Sequence, residues 1–330
     1  MKRLDYYWYS NNPVAVLLLP LSWLYALVVM LRRSLYRAGV LRTIKVGVPV
    51  IVVGNITVGG TGKTPLVIWL AEYLRAHGRK PGIVSRGYGG KATHYPLTVH
   101  ADTDTELAGD EAVLLARRSA CPVVVAPYRL DAARQLAASC DVLIADDGLQ
   151  HYALARDIEI AVVDGMRRFG NNHCLPAGPL RERPARWETV DLRICNGGRA
   201  RAGEHAMVLQ PGDACSLTDK ERRRTIASFA AETVHAVAAI GNPVRFFEQL
   251  RLSGLRVIEH AFPDHHRYTA QDFNFDDGRN VLMTEKDAVK CGQVAKPHYW
   301  YVPVTAELDP AFGARLSEFL EKRVYGSKAA

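Results

Sequence analysis

The stretch that decides the fold is Val52–Thr64, which reads VVGNITVGGTGKT. It overlaps the end of a short apolar run, Pro49–Val53, and precedes a segment with helical character from Pro65 to about His77. Glycines let successive backbone N–H groups turn toward phosphate oxygens, and a following helix adds the positive end of its dipole. The stretch therefore predicts a phosphate-binding loop between a buried strand and a helix.

The loop follows the pattern G-x-x-x-x-G-K-S/T, except that Thr57 stands where the first glycine is usual. Lys63 is expected to contact the β- and γ-phosphates of a nucleotide, and the Thr64 hydroxyl to contact Mg²⁺. A tight turn without a ligand is the alternative, but the strand–loop–helix context favours ATP binding. The predicted nucleotide-binding residues are Thr57, Val58, Gly59, Gly60, Thr61, Gly62, Lys63 and Thr64.

Strand and helix patterns alternate after this loop. The strand-like runs are Ile83–Ser85, Pro122–Ala126, Val142–Ala145, Ile158–Val163 and Leu192–Cys195, and the helical segments between them are Gly109–Ser119 and Leu130–Ser139. A second series has strands at Val234–Ile240, Val257–Ile258, Asn280–Thr284 and Tyr299–Pro303, with helices at Pro243–Leu252 and Pro310–Val324. Such alternation predicts βαβ units and a largely parallel sheet.

The expected fold class is therefore α/β, with a P-loop NTPase-like, mostly parallel sheet flanked by helices and a smaller C-terminal α/β lobe. An N-terminal membrane-associated helix precedes them. We divide the chain into a membrane-interface helix at 1–40, a P-loop core at 41–200, a polar connector at 201–232 and the smaller lobe at 233–330.

The N-terminal segment Pro13–Leu31 is uncharged and mostly apolar. A cleaved signal peptide needs a small-residue cleavage site, whereas Leu-Arg-Arg follows here. A spanning helix is barely possible by length and is interrupted by Pro20. A buried core helix is a further interpretation. The fourth, a helix in the membrane interface, is favoured by flanking arginines and by Tyr6, Tyr7, Trp8, Tyr9, Trp23 and Tyr25.

Bulk composition narrows the class of protein. The 330 residues are 48% hydrophobic and 23% charged, which suits a globular chain with a full core. A net charge of +8 suggests an anionic partner, whether nucleic acid, membrane or a phosphorylated substrate. The six cysteines form no C-x-x-C pair, which argues against a zinc site and a disulfide framework. No basic stripe with interleaved aromatics supports nucleic-acid binding.

A pair of aspartates ends the apolar strand Val142–Ala145. Asp146 and Asp147 stand where P-loop enzymes place the carboxylate that holds the magnesium shell. The alternative is that Asp146 has no part in metal binding and only caps the end of the strand. With Thr64, the two aspartates are the predicted Mg²⁺ site, and the sequence does not divide their roles.

Other polar groups have two interpretations each. Arg86, in the run SRGYGG, could face phosphate or lie in a plain surface loop. Asp110 opens a helix, where it could act chemically or only cap the helix. The run FPDHH at 262–266 could hold a proton shuttle or solvated histidines. Thr284–Asp287 (TEKD) resembles a guanine-reading motif only superficially and indicates no base preference.

Taken together, these runs resemble one family. The segments GNITVGGTGKTP, SRGYG, AGDE, DDGLQH, LPAGPLRE, FPDH and MTEKDAVK occur in the order typical of the tetraacyldisaccharide 4′-kinases of lipid A biosynthesis. The resemblance extends from the apolar N-terminus to about residue 290 and is highly specific as a set. In that family the first glycine of the loop is also replaced.

The resemblance implies a Mg²⁺-dependent kinase that transfers the γ-phosphate of ATP to the 4′-hydroxyl of a tetraacylated glucosamine disaccharide 1-phosphate. It implies a peripheral or monotopic location on the cytoplasmic face of the inner membrane, through the N-terminal helix, with no nucleic acid and no obligatory protein partner. The catalytic residues it implies are Lys63, Asp110 as general base and His265, with His266 adjacent. The implied substrate-binding residues are Asn55, Arg86, Gln150, Arg181 and Glu182.

One competing interpretation, motivated only by the net charge of +8, is a nucleic-acid-binding ATPase. The other is a membrane-tethered P-loop NTPase that acts as a switch or assembly factor. Such a protein would hydrolyse nucleotide without a lipid acceptor. Turnover that does not depend on lipid would distinguish it from a kinase.

Overall fold

The computed structural model describes residues 4–10, 12–219 and 221–322, and within them the strands form two sheets. The predicted end of the last helix, at Val324, and the terminal residues 1–3 and 323–330 lie outside the described residues. Each sheet has helices packed against it, and we call the two halves the first and the second lobe. The α/β class predicted from the sequence is confirmed.

The first lobe contains a nine-stranded sheet in the order β15-β8-β7-β6-β1-β5-β2-β4-β3. Its strands are β1 Val50–Gly54, β2 Pro81–Ser85, β3 Leu97–Val99, β4 Val123–Val125, β5 Val142–Ala145, β6 Ile158–Asp164, β7 Leu192–Asn196, β8 His205–Pro211 and β15 Val304–Leu308. Pairing is parallel from β4 to β8, and the edge strands β3 and β15 are antiparallel.

The second lobe contains a six-stranded sheet in the order β10-β9-β14-β13-β11-β12. Its strands are β9 Ala214–Ser216, β10 Arg223–Arg224, β11 Thr233–Ala238, β12 Arg256–Ala261, β13 Val281–Thr284 and β14 Tyr299–Val302. The four strands from β11 to β14 pair in parallel, and β9 and β10 extend the sheet in antiparallel pairing.

The helices of the described residues flank these sheets. They are α1 Pro13–Arg37, α2 Lys63–Ala76, α3 Thr105–Ala108, α4 Asp110–Arg118, α5 Arg129–Ala137, α6 Pro243–Leu252, α7 Glu285–Ala288 and α8 Pro310–Leu320. Helix α2 buries Leu66, Leu70 and Leu74 against the first sheet, at the four-residue spacing of one helix face.

Strand β1 lies between β5 and β6 at the centre of the first sheet, with all five residues buried. The order of strands reverses there, and in open parallel sheets such a reversal leaves a crevice at the carboxyl ends. The glycine-rich loop leaves β1 at this crevice, as does the Asp146–Asp147 pair after β5. The topology therefore brings the two predicted motifs to one edge.

The second lobe is an insertion between two neighbouring strands of the first sheet. Strand β8 ends at Pro211, and the chain returns at β15, which pairs with β8 over Val304–Leu308. At the crossing, the Gly212 N–H donates to the Pro303 carbonyl oxygen at 2.9 Å. Sheet membership thus divides the chain differently from the predicted boundaries, because the 201–232 segment contributes strands to both sheets and the C-terminal helix returns to the first lobe.

Helix α1 lies along the first lobe with most of its apolar side chains exposed. Leu17 is 81% and Trp23 62% exposed, so the buried-core interpretation of this segment is wrong. By length and composition α1 is apolar enough to cross a membrane. It contacts the core at a few points, among them a hydrogen bond from Ser22 Oγ to the Cys174 carbonyl oxygen at 2.7 Å. Pro20 lies inside the helix without ending it.

Candidate active site

The phosphate loop has the backbone conformation that its glycines permit. Gly59 and Gly62 have φ angles of 100° and 90°, in the left-handed region that favours glycine. Gly62 directly precedes the fourteen-residue helix α2, so the free N–H groups of the helix point toward the loop. This arrangement suits an anion such as a triphosphate.

The predicted nucleotide-binding residues divide into two groups. The larger cavity of the structure lies between the two lobes, and we call it the main cavity. Most of the predicted loop residues line it: Val58, Gly59, Gly60, Thr61, Gly62, Lys63 and Thr64. Thr57 is buried and pairs in a β-bridge with Leu180, and the Val58 N–H donates to the Pro179 carbonyl oxygen at 2.8 Å. The start of the loop is therefore anchored to the 179–181 segment, and its middle faces open space.

Lys63 lies among polar partners at the start of α2. Its Nζ is 3.2 Å from Asn55 Oδ1 and 3.3 Å from an Asp147 carboxylate oxygen. Arg181 Nη1 lies 2.9 and 3.0 Å from the two oxygens of the same carboxylate. Burial opposes ionisation of Asp147, but the charges of Lys63 and Arg181 outweigh it and hold the pKa of this carboxyl well below its usual range.

Asp146 lies in a different environment from its neighbour. It is 2% exposed, and its Oδ1 has no hydrogen-bond partner among the described residues. Burial, helped by the negative charges of Glu111 and Asp147, raises the pKa of Asp146 to about 7. A buried carboxylate oxygen without a partner is the kind of group that a cation satisfies. The two aspartates, whose roles the sequence does not distinguish, therefore lie in different environments.

Asp110 and His265 form a pair across the two lobes. His265 Nδ1 donates to the Asp110 carboxylate, with both oxygens at 3.0 Å. Asp110 is buried at the start of α4, and burial opposes its ionisation, but the hydrogen bond with His265 and the charge of Lys286 lower its pKa. Burial would lower the pKa of His265, yet the bond to Asp110 raises it. The hydrogen bond therefore lowers the pKa of the carboxyl and raises that of the imidazole, which makes His265 the more basic group of the pair.

His266 is turned away from this pair. Its Nε2 lies 3.3 Å from an Asp272 oxygen, and its ring stacks on Phe262 with centroids 4.6 Å apart. His265 instead has a φ of 62°, which turns the chain so that successive histidines point in different directions. Of the two adjacent histidines, His265 is the one placed beside Asp110.

The predicted substrate-binding residues are not all at the surface of the cavity. Arg86, Gln150 and Arg181 line it, and Arg86 is exposed. Glu182 is 3% exposed, and its carboxylate accepts hydrogen bonds from Gln150 Nε2 at 2.9 Å and Tyr152 Oη at 2.5 Å. Glu182 is thus a buried residue that orients the cavity-lining Gln150. In the same way, buried Asn55 orients Lys63.

A cavity of about 940 Å³ between the two lobes brings these groups together. The first lobe contributes the phosphate loop and the aspartate pair. The second lobe contributes Gly241, Arg245 and His265. A smaller cavity of about 450 Å³ lies on the Asp110 side of the pair, and His265 lines both cavities.

Sequence reasoning missed several residues at the join between the lobes. Asn196 Nδ2 donates to the Thr61 carbonyl oxygen at 2.9 Å, and Arg245 Nη2 donates to Asn196 Oδ1 at 3.1 Å. Gly241 approaches the phosphate loop so closely that a Cβ there would lie 2.3 Å from the Gly60 nitrogen. The sequence offered one signal for these contacts, which is the polar residue Asn196 at the end of the buried strand β7. Polar residues at the carboxyl ends of parallel strands line the crevice where ligands bind.

A further ion pair joins the lobes beside the cavity. Lys286 Nζ lies 2.9 Å from Glu111 Oε1 and 3.2 Å from Asp264 Oδ1. The TEKD run, which gave no base preference, therefore provides a lysine that connects the second lobe to helix α4.

Comparison with known proteins agrees with this geometry. The model of the family "Tetraacyldisaccharide-1-P 4′-kinase" (LpxK) matches residues 14–321. The chain is 54% identical over 318 residues to a tetraacyldisaccharide 4′-kinase from Nitrosococcus oceani, with 96% of this chain and 94% of the relative covered. It is 48% identical over 328 residues to the enzyme of that name from Methylobacillus flagellatus, covering 97% and 98% of the two chains.

A solved structure shows the same likeness in three dimensions. The LpxK from Aquifex aeolicus, determined in complex with ATP, superposes with a TM-score of 0.77 at 28% sequence identity. The alignment covers 93% of this chain and 99% of that one. With the family model matched along nearly its whole length and these identities, the chain belongs to the tetraacyldisaccharide 4′-kinase family.

Proposed function

We propose that this chain transfers the γ-phosphate of ATP to the 4′-hydroxyl of a tetraacylated glucosamine disaccharide 1-phosphate. The observation that carries the proposal is that the phosphate loop and His265, whose ring is hydrogen-bonded to Asp110, line one cavity from opposite lobes. A phosphoryl donor bound on one side can then meet a hydroxyl acceptor on the other. Kinase family membership supplies the chemical class of the acceptor.

The phosphate loop would hold the triphosphate. Loop N–H groups and the α2 N-terminus supply fixed positive ends of dipoles, and Lys63 supplies a full charge for the transferring group. Asn55 and Asp147 hold the Lys63 ammonium at its place on the loop before nucleotide arrives. Catalysis of phosphoryl transfer depends mostly on such positioning and charge stabilisation.

Asp146 and Thr64 are the residues that fit a Mg²⁺ ion, because Asp146 Oδ1 is buried without a partner and Thr64 follows Lys63 on the loop. Mg²⁺ prefers oxygen ligands and usually keeps waters and phosphate oxygens in its shell, so a few protein ligands suffice. When bound, the ion would neutralise charge on the β- and γ-phosphates. Asp147 is engaged by Lys63 and Arg181, and we assign it to orienting these two cations.

The Asp110–His265 pair would accept the proton of the attacking hydroxyl. A sugar hydroxyl is a weak nucleophile, and its proton must leave as the new P–O bond forms. His265 faces the main cavity, and Asp110 lies behind it in hydrogen-bond contact. The carboxylate fixes the orientation of the ring and stabilises the positive charge that protonation produces.

Three cavity-lining groups suit the anionic acceptor. Arg86 and Arg181 provide guanidinium groups, which bind phosphate oxygens in a bidentate manner, and Gln150 provides an amide. Glu182 and Asn55 serve from behind by holding Gln150 and Lys63 in place. These five residues are the proposed substrate-binding set, two of them acting indirectly.

Helix α1 would bring this site to a lipid substrate at the cytoplasmic face of the inner membrane. Its exposed apolar side chains suit acyl chains, and Tyr25 connects it to the cavity through a hydrogen bond to the Arg181 carbonyl oxygen at 3.3 Å. We expect peripheral or monotopic attachment. Co-sedimentation with anionic vesicles should fall when Leu17 and Leu24 are replaced by Asp, and ATP binding should not change.

The decisive experiment is transfer of labelled γ-phosphate from ATP to a tetraacyldisaccharide 1-phosphate in detergent. Wild type should label the lipid, and Asp110→Ala and Lys63→Ala should abolish labelling while remaining folded. Should wild type consume ATP and leave the lipid unlabelled, the proposed function fails and a membrane-tethered NTPase takes its place.

A further inference from the structure

The smaller cavity, of about 450 Å³, lies behind the proton-accepting pair and has its own set of polar groups. Residues lining it include Asp110, His265, Tyr268 and Lys290. Lys290 follows helix α7 at the end of the MTEKDAVK run, and no part of the proposed function yet uses it. Its position beside the pair invites a chemical explanation.

Lys290 is a buried ammonium with two carboxylate neighbours. Its side chain is 7% exposed. Its Nζ lies 3.9 Å from Asp110 Oδ2 and 2.8 Å from Asp287 Oδ1. The contact with Asp287 is an ion pair whose geometry is not that of a hydrogen bond. The Nζ also lies 5.0 Å from the centre of the Tyr268 ring.

Asp287 fixes the lysine from the opposite side. Asp287 is fully buried, and its Oδ2 accepts hydrogen bonds from Thr284 Oγ1 at 2.6 Å and from the Ala239 N–H at 3.1 Å. Its other oxygen faces Lys290. Because buried charges need partners, Asp287 keeps the ammonium in the second lobe while leaving its charge close to Asp110.

The charged groups around Asp110 therefore come from three directions. His265 approaches from the FPDHH loop at 3.0 Å, Lys290 from behind at 3.9 Å, and Lys286 from α7 through the ion pair with Glu111. Asp264 lies 3.8 Å from His265 Nε2. Burial opposes the charge of Lys286, but the neighbouring carboxylates of Glu111, Asp110 and Asp264 raise its pKa, so this lysine acts as a fixed charge.

We propose that Lys290 is a positioning residue that acts on the Asp110–His265 pair from the smaller cavity and keeps Asp110 as a carboxylate throughout the reaction. The proton taken from the acceptor hydroxyl then rests on His265, which opens on both cavities, and can leave through the smaller one. This inference rests on the proposed kinase function. It assigns to Lys290 a charge effect and no contact with substrate.

The test compares Lys290→Met and Lys290→Arg with wild type in the lipid-labelling assay between pH 5.5 and 9. Met keeps the length and loses the charge, whereas Arg keeps the charge. Removing a cation at this distance makes protonation of the pair easier, so the acid limb of the kcat/KM profile should move to higher pH by about one unit. At a fixed pH on that limb, activity should fall about tenfold. The KM for ATP should stay the same.

Lys290→Arg should restore the wild-type profile, and Lys296→Met, an exposed lysine of the same lobe, should leave it unchanged. A Lys290→Met protein that loses activity equally at every pH, or that loses thermal stability without moving the acid limb, would overturn the inference and give Lys290 a structural role. Failure of the proposed function looks different, because wild type itself would then label no lipid.

Discussion

His265 Nδ1 lies 3.0 Å from both carboxylate oxygens of Asp110, although 155 positions separate the two residues in the chain. One residue belongs to the first lobe and the other to the second, so the pair exists only when the lobes meet. A proton acceptor built in this way couples the chemistry to the docking of the two lobes.

The same pair predicts a pH window for stability. Folding raises the pKa of His265, so its contribution is complete below the unfolded histidine value of 6.5 and is lost as the pH rises through the folded value. Folding lowers the pKa of Asp110, so its contribution is present above 3.8 and is lost as the pH falls through the folded value. Asp110→Asn should therefore lower the thermal midpoint most between these two limits.

Thermal unfolding of wild type and Asp110→Asn across pH 3 to 9 checks this window. The two midpoints should converge at both ends of the range. A constant difference at all pH values would show that the substitution acts through packing and not through the ion pair.

Replacing Lys63 should disable transfer without unfolding the protein. Lys63→Met removes the charge that stabilises the transferring group, and single groups of this kind are worth about 100- to 1000-fold in kcat. It also leaves the Asp147 carboxylate in its ion pair with Arg181. Lys80→Met, at an exposed lysine just before β2, is the matched control and should keep full activity. Equal loss in both variants would contradict a specific role for Lys63.

Asp146→Asn should stabilise the protein when divalent cations are absent. The folded carboxyl keeps its proton to a pKa of about 7, whereas an unfolded one loses it near 3.8. Stability of wild type therefore falls as the pH rises between these values, and the amide avoids this loss. In EDTA at pH 8 the variant should melt several degrees higher, and below pH 3.8 the midpoints should agree.

The thermal midpoint in the presence of Mg²⁺ tests whether Asp146 belongs to the proposed metal site. Adding Mg²⁺ and ATP should raise the thermal midpoint of wild type more than that of Asp146→Asn, since the variant lacks the carboxylate oxygen that fits the ion. Equal stabilisation of both proteins would remove Asp146 from the proposed metal site.

Gly241→Ala should weaken ATP binding, although Gly241 belongs to the second lobe and the phosphate loop to the first. Its Cβ would lie 2.3 Å from the Gly60 nitrogen, a backbone atom that cannot move without reshaping the phosphate loop. We expect the KM for ATP to rise about tenfold or more, which corresponds to about 1.4 kcal/mol of lost binding energy. Gly292→Ala is the control, because its Cβ would meet nothing within 4 Å. An unchanged KM in Gly241→Ala would mean that the loop and Gly241 separate in solution.

Local patterns predicted much of the fold. The parallel strands and the loop at Val52–Thr64 have strong apolar runs and glycines, and they appear where expected. Strand β8 was missed because it alternates buried and exposed residues within a polar, basic segment. Strand β15 was missed because Pro303 separates it by one residue from β14, and the chain changes sheet at that point.

The site was predictable to a different degree. The phosphate loop and the aspartates could be located from the residues, since each is a continuous motif with a known chemical purpose. The pairing of Asp110 with His265 was expected only through resemblance to a family, because spacing along the chain carries no information on contacts between lobes. Asn196 and Arg245 lie in no motif, so their contact with each other and with the loop needed coordinates.

The insertion of the second lobe between β8 and β15 has a consequence for biosynthesis. Strand β15 and helix α8, with Phe312 and Leu316 buried in the core of the first lobe, leave the ribosome after the second lobe. The first lobe therefore begins to be synthesised before the second lobe and completes its sheet edge only after the whole second lobe has emerged. A nascent chain that stops before residue 304 has an uncovered β8 edge and an open core, a state that a chaperone would recognise.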